Sequence, residues 1–371
     1  MCEYRTMKDA GEWADVGDRV RECRIAADMS QEQLASALRL DRTMIVKIES
    51  GVRRVDALEL AKLSAVLNVP LAYFLSPPAK VMSRRSEVAD DTATDATRQS
   101  FRLEVALSTW LSDVRQLMEL GELSCRPPVR YPDPVEDAET ARVAARWVRK
   151  ARRLRLGPIS SLMSLCERLG QLVAVVETPG EGASMIDDGL AVAVVSYHSD
   201  PGRRRATAAH ELGHMVIGDE YSADLGLHAS RSEREAVIDA FAAELLLPTD
   251  AVTQRFAAGN ASERENLVVL AAEYRTSWSL AVRQAMVAGV IGKESATSMR
   301  KRNPTYAELM EAVGWAPQPD LESVRVPPSF AHAVMNSLSG RRITTARAVE
   351  LMRKQIKESD LPPRDDPGDE L

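Results

Sequence analysis

His210-Glu211-Leu212-Gly213-His214 sets two imidazoles four residues apart with a carboxylate between them. On a helix of about 3.6 residues per turn, positions i and i+4 share one face, so both rings can turn a nitrogen toward one cation. Neutral imidazoles suit zinc. Glu211 suits a general base that takes a proton from water attacking a peptide carbonyl and returns it to the leaving amine. Farther along, Glu235-Ala236-Val237-Ile238-Asp239 puts two acids one turn apart on a second helical segment. Glu235 completes a two-histidine, one-carboxylate set that leaves a fourth zinc position open, with His228 as the alternative ligand. Asp239, on the same face, is placed to accept a ring N–H from a ligand imidazole. The position six beyond His214 is Glu220, so a three-histidine site is not expected. Candidate donors to the developing oxyanion are Tyr221, His228 and Arg231.

These side chains require particular elements around them. Ala206-Thr207-Ala208-Ala209 supplies small residues that let the first helix lie deep beside a sheet, and Phe241 to Leu247 extends the second as an apolar stripe stopped by Pro248. Residues 159–169 read as a helix ended by Gly170. Leu172 to Val176 and Leu190 to Ser196 read as strands, with turns at Pro179-Gly180 and Asp187-Asp188-Gly189. Helix, strands and then zinc helix is the order of a zincin, in which a strand edge holds an extended peptide beside the metal; Leu190 to Ser196 is the expected edge.

Nearer the N-terminus, Ser30-Gln31-Glu32-Gln33 opens a short helix as a capping box, and a turn through Arg39-Leu40-Asp41 leads to a second helix from Arg42 to Glu49. Ile45 and Ile48 face inward in this reading. Arg42, Thr43 and Lys47 are exposed and suit base edges or phosphates, and Gln31 suits a backbone-positioning contact. With SQEQLA, the polar helix from Arg42 and IESGVRR in order, this segment of about sixty residues resembles the Xre/Cro/C1-type phage repressor domain.

GPISSLMSLCERLG, RRRATAAHELGHMVIGD and EAVIDAFAAELLLP resemble the ImmA/IrrE family of zinc metallopeptidases over roughly residues 156–250. The resemblance implies His210, His214 and Glu235 as Zn2+ ligands and Glu211 as the catalytic glutamate. Asp239 stands where the family commonly has asparagine. The segment from Tyr274 to Arg283 has helix-turn-helix character and also resembles the tail that follows the zinc helices in that family. The basic run Arg149 to Arg155 reads as a solvated face or as a contact to DNA phosphates.

The 371 residues, of which 45% are hydrophobic, exceed the usual size of a single core, and a net charge of −6 excludes a polycation that coats DNA. Aromatic content of 5% disfavours a stacking platform for single strands. Cys2, Cys23, Cys125 and Cys166 are dispersed, as in reduced thiols, and no apolar run is long enough to span a bilayer, so a cytoplasmic protein without membrane partners is expected. The expected fold class is multidomain and mainly α: an N-terminal helix-turn-helix bundle (14–78), a flexible linker (79–100), a helical connector (101–155), an α+β zincin-like peptidase domain (156–300), a helical C-terminal region (301–361) and a disordered tail (362–371). Taken together, the readings imply a DNA-binding transcriptional regulator fused to a zinc-dependent endopeptidase that cleaves a repressor or other regulatory protein in a stress or mobile-element circuit. Its expected partners are a double-stranded operator, a protein or peptide substrate and a second copy of the chain. The other reading is a non-catalytic transcription factor or antitoxin whose peptidase-like domain senses a ligand or binds a protein partner.

Overall fold

The computed structural model describes residues 11–67, 69, 71–75, 95–218, 228–259, 261–314, 320–321, 323–353 and 355–361. Most of the expected linker and the whole expected C-terminal tail lie outside them. The N-terminal bundle comprises α1 (Gly11–Ala26), α2 (Gln31–Leu38), α3 (Arg42–Glu49), α4 (Ala57–Leu67) and α5 (Leu71–Leu75). Ser30 caps α2 with a reciprocal Gln33 bond, satisfying two amides that the first turn would otherwise leave open. Val20, Leu34, Ile45, Ile48, Leu63 and Phe74 form the core. Gly51 sits at φ 70 where an added Cβ would lie 2.6 Å from Ala14 Cα, so only glycine lets the chain turn under α1 after α3.

The long α6 (Asp95–Glu119) begins inside the span read as linker and joins the two halves. Phe101 and Val105 complete the core of the bundle, Arg102 Nε donates to Ala26 O at 2.7 Å, and Arg98 pairs with Asp28 at 2.5 Å. From Leu107 onward its apolar face turns to the sheet. Then follow α7 (Ala138–Ala151), α8 (Leu162–Arg168), β1 (Gln171–Val176), β2 (Gly182–Asp187), β3 (Leu190–Ser196), α9 (Pro201–Ile217), α10 (His228–Leu246), α11 (Thr249–Ala257), α12 (Glu263–Tyr274), α13 (Trp278–Val287), α14 (Lys293–Arg300), α15 (Tyr306–Val313), α16 (Pro328–Ser339) and α17 (Thr345–Leu351). The layout is a helical bundle, a central mixed α/β region and a largely helical C-terminal region.

The sheet order is β1-β3-β2, with β3 parallel to β1 and antiparallel to β2. This corrects the expected edge. Leu190 to Ser196 is the central strand, bonded on both sides, and its unbroken apolar run reflects burial on both faces rather than a position at the rim. The flanking strands are β1, which an isolated bridge joins to Arg325 at Val175, and β2, a strand that the sequence reading does not separate from the connection. Alternate residues of β3 enter two different cores. Ala191, Ala193 and Val195 meet α7 to α13, whereas Val192 and Val194 meet α6, α16 and α17. The segments before and after the sheet thus close on its far face, where Trp110 packs on Phe330 with ring centroids 4.5 Å apart and Trp110 Nε1 donates to Leu172 O at 2.9 Å. Burying one such large apolar side chain contributes roughly 1.5–3 kcal/mol, so this second layer is a principal support of the sheet.

On the near face, Asp200 caps α9 by accepting from Arg203 N at 3.0 Å, Pro201 sets the first helical turn, and Gly218 ends the helix at φ 75. Arg205 forms a buried ion pair with Asp320, whose Oδ2 also accepts from Leu162 N at 2.8 Å, and Arg204 donates to Leu321 O. These bonds tie the start of α9 to α8 and to the returning C-terminal segment.

Candidate metal centre

Helix α9 presents His210 and His214 toward α10, and close packing of the two helices brings the acids within reach. Gly213 makes that approach possible: a Cβ there would lie 3.0 Å from Ile238 Cγ2 and from Phe241 Cδ1. His210 Nε2 then stands 3.2 Å from His214 Nε2 and 3.0 Å from Glu235 Oε2. The three residues can each offer one ligand atom, all within 4.8 Å of one another. Tetrahedral zinc with bonds of about 2.0–2.1 Å sets its donor atoms about 3.3 Å apart, and the His210 spacings fit that geometry.

Asp239 Oδ1 lies 2.9 Å from His210 Nδ1 and accepts its proton, which turns the Nε2 lone pair toward His214 and Glu235. Arg283 of α13 stands 3.7 Å from the other Asp239 oxygen. Burial opposes charge on His210, yet hydrogen bonds to Asp239 and Glu235 and the field of Glu211 outweigh it and raise its pKa to about 10. Burial likewise acts to raise Asp239, but its bond to His210 brings its carboxyl below the usual range. An environment that holds a proton this firmly favours positive charge, and a metal cation can take the place of that proton.

Glu211 is buried at 4% exposure and turns toward the sheet. Ser184 Oγ of β2 donates to Glu211 Oε2 at 2.6 Å, and Gln171 Nε2 of β1 donates to the Glu211 backbone carbonyl at 3.0 Å. Gly182 leaves room beside the other carboxylate oxygen: a Cβ there would sit 3.1 Å from Oε1 and 2.5 Å from Thr207 Cγ2. Sequence reasoning missed Ser184 and Gly182 because Gly-Ala-Ser opens β2 like a turn, without strong apolar alternation. Among the described residues β2 pairs only with β3, so its outer edge is open to an extended chain. Tyr221 and the side chains of His228 and Arg231 lie outside the described residues.

In the N-terminal bundle Arg42, Thr43 and Lys47 are exposed on α3. Gln31 is half-buried and donates to Glu49 Oε2 at 2.9 Å, while Arg24 grips the same carboxylate at 2.6 and 3.2 Å. Gln31 therefore joins the start of α2 to the end of α3. The segment from Tyr274 to Arg283 lies in the large core: Leu280, Ala281 and Val282 are buried, Tyr274 OH donates to Leu156 O at 2.6 Å, and Trp278 Nε1 donates to Met299 O at 2.8 Å. The basic run divides. Arg149 is buried, whereas Lys150, Arg153 and Arg155 are exposed.

Residues 20–74 match the helix-turn-helix family, and residues 179–286 match the IrrE N-terminal-like domain, a peptidase family. Over 59 residues, 16% of the chain, the sequence is 42% identical to uncharacterised helix-turn-helix transcriptional regulators of Sinorhizobium medicae (strain WSM419) and Rhizobium meliloti (strain 1021). Over 63 residues, 17% of the chain, it is 40% identical to an uncharacterised transcriptional regulator in the ATPase CF(0) region of Rhodospirillum rubrum. The chain spans 42% of each of the first two relatives and 58% of the third. A crystal structure of Bacillus thuringiensis PlcR with the peptide PapR7 and DNA aligns over 91% of both chains at 8% identity, with a TM-score of 0.18, too low to mark a shared fold.

Proposed function

We propose that this chain, a helix-turn-helix domain fused to an IrrE-like peptidase-family domain, is a DNA-binding transcriptional regulator that carries a zinc-dependent endopeptidase. The observation that carries the reading is the convergence of His210, His214 and Glu235 beside a buried Glu211 that a neighbouring strand holds in place. In this reading His210, His214 and Glu235 hold the metal and Asp239 orients His210. Bound zinc supplies Lewis acidity, which acidifies water and polarises a peptide carbonyl. Because the Ser184 hydroxyl occupies Glu211 Oε2, Glu211 takes the proton of the attacking water at Oε1 and returns it to the departing amine. An extended substrate segment adds to the open edge of β2, which passes directly beside Glu211, so main-chain pairing presents the scissile bond to the base. Arg42, Thr43 and Lys47 reach DNA from α3, with Gln31 setting the orientation of that helix. The substrate of this reading is a regulatory protein, because a DNA-reading domain on the same chain localises the peptidase to a promoter. Among the described residues no helix is long and apolar enough to cross a membrane.

Metal content of the chain purified without added metal or chelator, measured beside Glu235→Ala, is the first test. About one zinc per chain, sharply reduced in the variant, supports the ligand set. Absence of zinc from both, even after reconstitution, overturns the peptidase reading and leaves a DNA-binding regulator.

A further inference from the structure

A second concave site lies away from the metal centre, where the C-terminal ends of α7 and α10 meet. It is a cavity of about 520 Å³, and its wall includes Arg146, Arg149, Lys150, Arg153 and Arg155, with Glu244 and Asp250 as the acids. The volume is in the range of sites for small molecules and cofactors. Glu244 is fully buried and is already matched: Arg146 Nε reaches it at 3.1 Å, and Thr249 and Gln284 also donate to it. Arg149 differs. It is 3% exposed, and its hydrogen bonds all go to neutral carbonyls, those of Arg155, Leu245 and Gly157. Its charge thus lies at the cavity within the field of Glu244 but without a hydrogen-bonded counter-ion. Lys150, Arg153 and Arg155 are exposed around it and, among the described residues, their side chains have no ion-pair partner. Arg153 and Arg155 both adopt left-handed backbone angles, φ 55 and φ 49, which fold the chain after α7 back along the cavity.

We infer that this cavity binds a small anion carrying a phosphate chain. Guanidinium groups match phosphate oxygens bidentately, and a partly desolvated arginine flanked by further cations provides what a multiply charged anion needs on leaving water. Leu156 and Pro248 supply an apolar wall, so the site suits a phosphate chain attached to a ring as well as a bare one. A DNA backbone is the other polyanion that an open basic site can meet, and the test below separates the two. Glu244 brings the end of α10, the helix that also carries Glu235 and Asp239, to the lining of the cavity.

The test is calorimetric titration of the metal-loaded full chain with tripolyphosphate and with ATP, beside the double variant Arg153→Asn, Arg155→Asn. Asparagine tolerates left-handed angles, so the charges are removed while the turn is kept. Saturable binding is expected in the original chain and a dissociation constant higher by at least about tenfold in the variant, since hydrogen bonds to charged groups are lost. Tighter binding of ATP assigns the apolar wall to a base, and equal affinities assign the site to the phosphate chain alone; both outcomes support the inference. Absence of saturable binding overturns it, as does equal binding by the two proteins. Weaker binding of duplex DNA by the variant with unchanged tripolyphosphate affinity also overturns it, in favour of a DNA-backbone surface.

Discussion

The helix-turn-helix half and the sheet half each bury a carboxylate at a junction of helices, and they balance it in opposite ways. Glu49 meets Arg24 through two charge-assisted bonds and Gln31 through a third, so its charge is matched and its oxygens are occupied. Around His210 three acids, Glu211, Glu235 and Asp239, face a histidine pair whose charge depends on protonation. A matched buried charge holds helices in register. An excess of acceptors instead favours a cation. The same residue type is thus structural in one region and chemical in the other, and local charge balance distinguishes the two.

The sharpest way to break this contrast is Glu211→Gln, which keeps the shape and the Ser184 contact but removes the base. Cleavage of a cognate substrate should fall by about 10²–10⁴-fold, while zinc content and operator binding stay unchanged. Unaltered turnover would remove Glu211 from the mechanism. Next in size is Arg24→Ala, which leaves Glu49 buried without its cation. Breaking such a pair costs about 3–5 kcal/mol, seen as early melting of the N-terminal bundle and lost DNA binding in a chain that still holds zinc. Retained bundle stability would show that Glu49 is not the matched, structural partner in the comparison.

Ser184→Ala should lower kcat about tenfold with zinc content unchanged, because one hydrogen bond that orients a charged base is worth about 1.5 kcal/mol. Loss of metal in that variant would make Ser184 part of the zinc support rather than a positioning residue for Glu211. The smallest effect concerns protons. His210 is raised to about 10, so in the metal-free chain it carries a proton at neutral pH, and zinc must displace it. Zinc affinity should therefore climb as pH is raised from 6 to 8, with proton release measurable by calorimetry in buffers of different ionisation heat. For the metal-free fold the sign is reversed. A pKa raised above the unfolded value contributes stability that is fully present below about 6.5 and is lost as pH rises toward 10.

Much of the site was legible because its rules are local. His210 and His214 share a face through helix periodicity alone, and Ser30 with Gln33, three residues on, identifies the start of α2. Hydrophobic runs identified β1 and β3 but not their order. An unbroken apolar run signals burial on both faces and carries no information about lateral neighbours, so it cannot tell a central strand from an edge. The strand β2 escaped notice for the complementary reason: its glycine and serine serve Glu211 rather than a core, and such residues read as a turn.

The amino-acid sequence by itself determined which side chains share a helix face, where the helices are capped, and that a helix-turn-helix pattern precedes a zinc-type motif, since these follow from backbone geometry within a few residues. Only the tertiary structure decided the approach of α10 to α9 at Gly213, the pairing of Asp239 with His210, the reach of Ser184 to Glu211 and the return of α16 and α17 to the far face of the sheet. Those are contacts between elements distant in the chain. They depend on which faces interdigitate without voids, a property of the packed whole that no single segment encodes.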